Sequence, residues 1–151
     1  MTLDLPNLVA GTVLGAFSGY LVSWAYARRE GYLKLRQLSE QYSRLAGDYA
    51  NFRVTDGGKQ EATGGTIRLN WQREGFFRVQ GLHANGVAEW ESDVRMSQEF
   101  SGTGTGHYRY VGKEYTGTQQ LTYMPETRSF VVMGTSSARF EFVHYWRRIE
   151  R

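Results

Sequence analysis

The pattern of apolar residues changes at Gly47, and this change limits the possible folds of the 151-residue chain more than any other feature. After Gly47, apolar and polar residues alternate, as in residues 67–71 and 88–96, and Gly, Asn or Pro residues separate the runs. Alternation with a period of two is typical of half-buried strands. Eight such runs joined by short turns predict an all-β domain over 47–151.

Consecutive strands without helix-length connections favour an antiparallel meander closed into an up-and-down barrel, because closure removes the exposed edges. An open sheet or a sandwich is the alternative. The apolar phase predicts an inward-facing set: Phe52, Ile67, Leu69, Trp71, Phe77, Val79, Ala88, Trp90, Val94, Met96, Tyr108, Tyr110, Leu121, Tyr123, Phe130, Val132, Phe140, Phe142 and Trp146. A barrel of eight strands is either filled by side chains or holds one small ligand.

The N-terminal region contains no charged residue from Leu5 to Ala27, a run of 23 residues. As a helix it would extend about 30 Å, which matches the hydrocarbon thickness of a bilayer. A cleaved signal peptide fits less well, because the residues before the run include Asp4 and no basic residue. The sequence therefore predicts a single transmembrane α-helix over 5–27.

Residues 28–46 follow with a helical apolar stripe and predict a juxtamembrane amphipathic connecting helix. This segment carries five basic and two acidic residues. By the positive-inside rule, the N-terminus lies outside and the barrel in the cytoplasm, so we expect a single-pass protein of a bacterial inner membrane. The predicted class is mainly β: a transmembrane helix (5–27), a connecting helix (28–46) and an eight-stranded antiparallel β-barrel (47–151).

Three glycines recur every fourth residue within the apolar run: Gly11, Gly15 and Gly19. At helical spacing they share one face, and small residues on one face allow two membrane helices to approach closely. The pattern favours a homo-oligomer formed through the membrane helix. The alternative interpretation is that the three glycines only reflect how common glycine is in membrane helices.

The residues that carry chemistry are few. The chain has no cysteine and three histidines without metal-ligand spacing, so we expect neither a metal nor a cofactor. No nucleophile, base and orienting group assemble, so we do not expect an enzyme. The Gly-Thr run 102–106 lacks the Lys-Ser/Thr of a phosphate-binding loop and is interpreted as a flexible connection near a barrel mouth. Residues 47–151 hold 13 basic and 12 acidic residues, which does not support binding to duplex nucleic acid.

Aromatic residues make the barrel interior the candidate ligand-binding site. His144 shares a face with Phe142 and Trp146 and is either a core histidine or a ligand contact. Arg148 is in phase with Trp146 and would place a positive charge at one rim, where it would attract an anionic group. The candidate ligand-binding residues are Trp71, Trp90, Tyr108, Tyr110, Tyr123, His144, Trp146 and Arg148. That these aromatic residues only fill the barrel is an equal alternative.

Gly47-Asp48-Tyr49 and Arg147-Arg148 resemble the lipocalin-like (calycin) arrangement, in which a Gly-x-aromatic start packs near a basic residue of the last strand. Here tyrosine replaces the usual tryptophan. The whole plan resembles the membrane-anchored β-barrel effectors of cyclic-oligonucleotide anti-phage signalling (CBASS), on the residues 45–49, 106–110 and 117–121. This second resemblance implies an antiviral defence role and a cyclic nucleotide as ligand.

Together these patterns predict a membrane-anchored, non-enzymatic barrel that binds a small, anionic and partly aromatic ligand and couples binding to self-association. The alternative is a membrane-tethered structural or protein-interaction module with a filled barrel.

Overall fold

The computed structural model describes residues 5–73, 75–97 and 101–150, with side chains described from Gly19 onward. One helix, α1, precedes the strands, and a one-turn 3-10 helix (Pro125–Thr127) lies between the sixth and seventh strands. The helix and the eight strands are α1 (Leu5–Ser43), β1 (Gly47–Val54), β2 (Gln60–Arg73), β3 (Phe76–Leu82), β4 (Ala88–Met96), β5 (Thr103–Tyr110), β6 (Thr116–Met124), β7 (Ser129–Ser136) and β8 (Glu141–Arg148).

The strands form one closed antiparallel barrel in the order β1 to β8. Strand β1 pairs with both β2 and β8, so neither end of the sheet is left as an edge. This confirms the predicted mainly-β chain with an N-terminal helix and an eight-stranded up-and-down barrel, and it excludes the open sheet and the sandwich.

The membrane prediction is corrected by the structure. In the described part of the chain, no helix is both long and apolar enough to cross a membrane. The transmembrane helix over 5–27 and the single-pass inner-membrane localisation are therefore wrong.

The side chains of the predicted glycine face are only partly described. Gly11 and Gly15 lie outside the residues with described side chains. Gly19 is exposed, and a Cβ added to it would meet no atom within 4 Å.

The described chain forms two compact units, of which the second runs from Leu38 through the barrel. The last residues of α1 therefore belong to the barrel unit. Tyr42 and Leu45 are buried in its core, and Leu38 packs against that core.

The period-two pattern identified most of the core correctly. Among the residues predicted to face inward, the following are buried: Ile67, Leu69, Phe77, Val79, Val94, Met96, Tyr108, Leu121, Phe130, Val132 and Trp146. Two predictions are wrong. Phe140 is 74% exposed in the turn before β8. Phe52 lies on the outer face, with the Arg147 guanidinium 5.4 Å from its ring centroid, because Asn51 pairs directly with the buried Trp146.

The Gly-Thr run 102–106 is not a flexible connection, since residues 103–106 are part of β5. Gly106 pairs with Val94 of β4 and with Gln119 of β6. A Cβ on Gly106 would lie 2.8 Å from Val94 Cγ2 and 2.9 Å from Ser92 Oγ. Glycine therefore leaves room for inward-facing side chains of the neighbouring strand.

Candidate ligand-binding site

The two ends of the barrel differ. Because neighbouring strands run in opposite directions, the β2–β3, β4–β5 and β6–β7 turns lie at the end where β1 begins, and we call this the closed end. The β1–β2, β3–β4, β5–β6 and β7–β8 turns lie at the other end, which we call the open end.

Arg148 lies at the closed end and contacts the chain itself. Its guanidinium donates hydrogen bonds from Nη1 to the Arg44 carbonyl (2.6 Å) and from Nη2 to the Ala46 carbonyl (2.9 Å). The same group lies 5.9 Å from the ring centroid of Tyr49. Arg148 thus anchors the segment between α1 and β1 at the rim of the closed end.

Tyr49 is completely buried beside Arg148, and its hydroxyl donates to the Leu45 carbonyl at 2.7 Å. Burial raises the pKa of Tyr49 to about 12, although the nearby Arg148 opposes the shift. Tyr42 donates a second hydroxyl hydrogen bond, to the Ser97 carbonyl. These contacts close this end of the barrel.

Two other predicted site residues also lie in the closed half. The Trp71 ring is 5.7 Å from that of Phe77, and the Tyr123 ring is 5.0 Å from that of Phe130. Both side chains pack against the buried core. Trp71, Tyr123 and Arg148 are therefore separate from the remaining five predicted site residues.

Those five, Trp90, Tyr108, Tyr110, His144 and Trp146, line one cavity at the open end. Its volume is about 610 Å³. The other lining residues are Arg53, Glu89, Lys113, Tyr115, Gln119, Ser136, Phe140, Glu141 and Phe142.

Aromatic rings form much of the cavity wall. The Trp90 ring lies 6.3 Å from that of Tyr108 and 6.1 Å from that of Trp146, and Tyr108 lies 5.7 Å from Phe142. These separations are typical of tilted and edge-to-face aromatic pairs. Trp90 packs directly on β3, because a Cβ at Gly81 would lie only 2.1 Å from Trp90 Nε1. The wall thus presents ring faces and edges to a planar molecule.

His144 lies on the cavity wall and is the direct cross-strand partner of Arg53 on β1. Its Nδ1 is 2.8 Å from Asn51 Oδ1, so with the amide oxygen as acceptor Nδ1 carries the proton and Nε2 is left as an acceptor. Burial lowers the pKa of His144, and the charge of Arg53 lowers it further. The imidazole is therefore neutral at neutral pH.

Charged groups are confined to the mouth. Two cations, Arg53 and Lys113, and two anions, Glu89 and Glu141, line it. Lys113 Nζ lies 5.7 Å from the ring centroid of Tyr110, and Glu89 lies 3.9 Å from His83. Within the described part of the chain, Arg53 forms no ion pair, so it is available to an anionic group at the mouth.

Sequence reasoning missed several polar residues of the interior. Gln119 and Ser92 are buried. Each lies two residues before a buried apolar residue of the same strand, Leu121 and Val94 respectively, and therefore faces the same side. The period-two pattern contained that signal. Asn51 and Arg53 were missed because the apolar phase of β1 pointed to Phe52 instead.

The site brings together aromatic rings, amides and a neutral imidazole. Among the described residues, no group of three or more His, Cys, Asp or Glu side chains could hold a metal ion. The arrangement is suited to holding a small planar molecule by ring contacts and hydrogen bonds.

The fold and the cavity together define a small antiparallel β-barrel with one filled end and one open end. No family model and no curated protein matches the chain. Among solved structures, a redesigned β-barrel is similar to it, with a TM-score of 0.55 and 20% sequence identity. The match covers 72% of this chain and 95% of that chain. At this identity the likeness supports the barrel fold alone.

Proposed function

We propose that the barrel is a binding module for a small planar ligand, which it holds in the open end without catalysing a reaction. The single observation that carries this proposal is the cavity of about 610 Å³ with aromatic walls. Ligand pockets are commonly of this size, with mostly apolar walls and a few polar groups that orient the ligand.

The chemistry of the walls defines the ligand class. Trp90, Tyr108 and Phe142 offer ring contacts, which favour an aromatic or otherwise flat molecule. Arg53 at the mouth favours a ligand whose anionic group, where it has one, stays near solvent. Lys113 adds a second cation, while Glu89 and Glu141 balance the formal charge of the mouth.

A dye-binding assay tests the proposal. We use the full chain and 1-anilinonaphthalene-8-sulfonate, which is aromatic, anionic and fluorescent in apolar surroundings. Ser136 lines the cavity, so Ser136→Trp fills the mouth and is expected to weaken dye binding at least about tenfold. Thr135→Trp is the matched control, because Thr135 is the adjacent exposed residue and does not line this cavity.

Thermal unfolding with the same dye and with a panel of planar metabolites, cyclic nucleotides included, provides a second measurement. A molecule that binds the native state raises the unfolding midpoint. If neither the dye nor any panel member shifts the midpoint, or if both tryptophan variants bind the dye as the unmodified chain does, the proposal is rejected.

A protein-interaction module is the second candidate, and the loop tips of the open end favour it. Phe140 is 74% exposed, and Val87, Val111 and Tyr115 are 58%, 54% and 54% exposed. Exposed apolar groups that lie near one another are typical of interaction surfaces. If this candidate is correct, the panel leaves the unfolding midpoint unchanged, while Phe140→Ser reduces association measured by analytical ultracentrifugation.

A further inference from the structure

Two buried hydrogen-bond donors of residues that line the cavity have no acceptor in the described part of the chain. They are Trp146 Nε1 and Gln119 Nε2, and their residues are 1% and 4% exposed. Both residues line the cavity at the open end. Buried donors in native proteins are nearly always paired, so two unpaired donors on residues that line a cavity indicate a partner from outside the chain.

The side-chain acceptor of the residue paired with Trp146 is already engaged. Asn51 is the direct cross-strand partner of Trp146, and its Oδ1 lies 2.8 Å from His144 Nδ1. The rings of Trp90 and Phe130, 6.1 and 6.2 Å from Trp146, offer its indole N–H no oxygen acceptor.

Gln119 lies beside a glycine of the neighbouring strand. Its partner on β5 is Gly106, and the third buried unpartnered group, Ser92 Oγ, would be 2.9 Å from a Cβ on Gly106. A buried hydroxyl and a buried amide therefore adjoin the same glycine.

Among the described residues that line the cavity, no cationic side chain is buried beside these donors. The cations that line the cavity, Arg53 and Lys113, are exposed at its mouth, and His144 is neutral. An anion moved to the depth of the donors would lose its hydration without gaining a countercharge, which is unfavourable. An uncharged acceptor would satisfy the donors without that cost.

We infer that the buried end of the ligand is an uncharged planar group whose carbonyl-type oxygen accepts hydrogen bonds from Trp146 Nε1 and Gln119 Nε2. The inference rests on the proposed binding function and specifies which end of the ligand enters first. Any anionic group of the ligand stays at the mouth, near Arg53.

The test compares 1-indanone with indane, which has the same rings and lacks the oxygen. Each compound is titrated into the ¹⁵N-labelled full chain, whose four tryptophans give separate indole N–H signals. We expect 1-indanone to move the Trp146 indole N–H signal downfield, as hydrogen bonding does, and to bind about tenfold more tightly than indane. Trp146→Phe assigns the signal.

Gln119→Leu removes one donor while keeping similar volume. It is expected to weaken 1-indanone binding about fivefold and to leave indane binding unchanged. Gln120→Leu is the matched control, because Gln120 is the next residue on β6 and is exposed. This control should bind both compounds as the unmodified chain does.

The outcomes separate the inference from the proposed function. Equal binding of 1-indanone and indane would mean that water satisfies the donors, which overturns the inference and leaves the binding function standing. The inference would also be overturned if indane-1-carboxylate bound more tightly than 1-indanone and moved the Trp146 indole N–H signal. If neither compound binds, and the dye and metabolite panel are also negative, the proposed function fails as well.

Discussion

The closed and open ends are built from the same eight strands but differ in how their polar groups are satisfied. At the closed end, the hydroxyl of Tyr49 and the guanidinium of Arg148 each have carbonyl acceptors. At the open end, the amide of Gln119 and the indole nitrogen of Trp146 have none within the described chain. The comparison indicates that the polar groups of the closed end are paired within the chain, whereas two buried donors at the open end remain unpaired within the described residues.

Trp146 belongs to both halves. Its ring lies 6.2 Å from Phe130, which is completely buried, and 6.1 Å from Trp90, which lines the cavity. A contact chain of three rings therefore joins the core of the closed end to the wall of the open end.

The two ends should differ most in the free energy of unfolding that is lost when one phenylalanine of each half is replaced by alanine. Phe130→Ala removes a fully buried ring beside Tyr49 and Tyr123 and should lower the free energy of unfolding by about 3–5 kcal/mol. Phe142→Ala removes a half-buried ring at the cavity and should cost about 1 kcal/mol. Urea denaturation measures both, and equal losses would break the distinction between the two ends.

Arg148→Met tests the anchor at the closed end. It removes two hydrogen bonds from a charged group to the carbonyls of Arg44 and Ala46, so we expect a loss of about 2 kcal/mol. Arg147→Met is the control, because Arg147 lies on the outer face over Phe52 and should change stability by less than about 0.5 kcal/mol. Comparable effects in denaturant unfolding would show that Arg148 is no anchor.

The pH dependence of stability tests the burial of Tyr49. Its pKa is about 12 in the folded protein and about 10 in the unfolded chain, so the folded state binds more protons between these values. This contribution to stability is complete below pH 10 and is lost as the pH rises towards 12, with a slope of about 1.4 kcal/mol per pH unit. Tyr49→Phe should reduce the slope by that amount in equilibrium unfolding at successive pH values. An unchanged slope would contradict the buried position.

The smallest change in the free energy of unfolding should be a gain, whereas the phenylalanine and Arg148 substitutions above are expected to lower it. Gln119→Leu replaces a buried amide that lacks a partner, so we expect the free energy of unfolding to rise by about 1 kcal/mol or stay constant. Gln120→Leu on the exposed face should have no effect beyond about 0.5 kcal/mol. A loss of 2 kcal/mol or more in Gln119→Leu would mean that the amide has a stabilising partner.

The sequence predicted the barrel because alternation is a local property of each strand. It did not predict that Arg148 turns towards residues 44–46, because that contact depends on barrel closure between β1 and β8. It placed Phe52 inside because apolar character was weighed above strand pairing, which instead puts Asn51 and Arg53 on the inner face. The unpaired state of Gln119 Nε2 and Trp146 Nε1 depends on three-dimensional surroundings that no residue pattern contains.

We propose that the open end alone receives a planar ligand. The most direct measurement is a titration of 1-anilinonaphthalene-8-sulfonate into the ¹⁵N-labelled full chain, with backbone amide shifts mapped on the barrel. We expect the largest shifts at cavity residues such as Tyr110, Phe142 and His144, and small shifts at Leu45, Tyr49 and Phe77. Shifts concentrated at the closed end, or no saturable shifts at the open end, would contradict the claim.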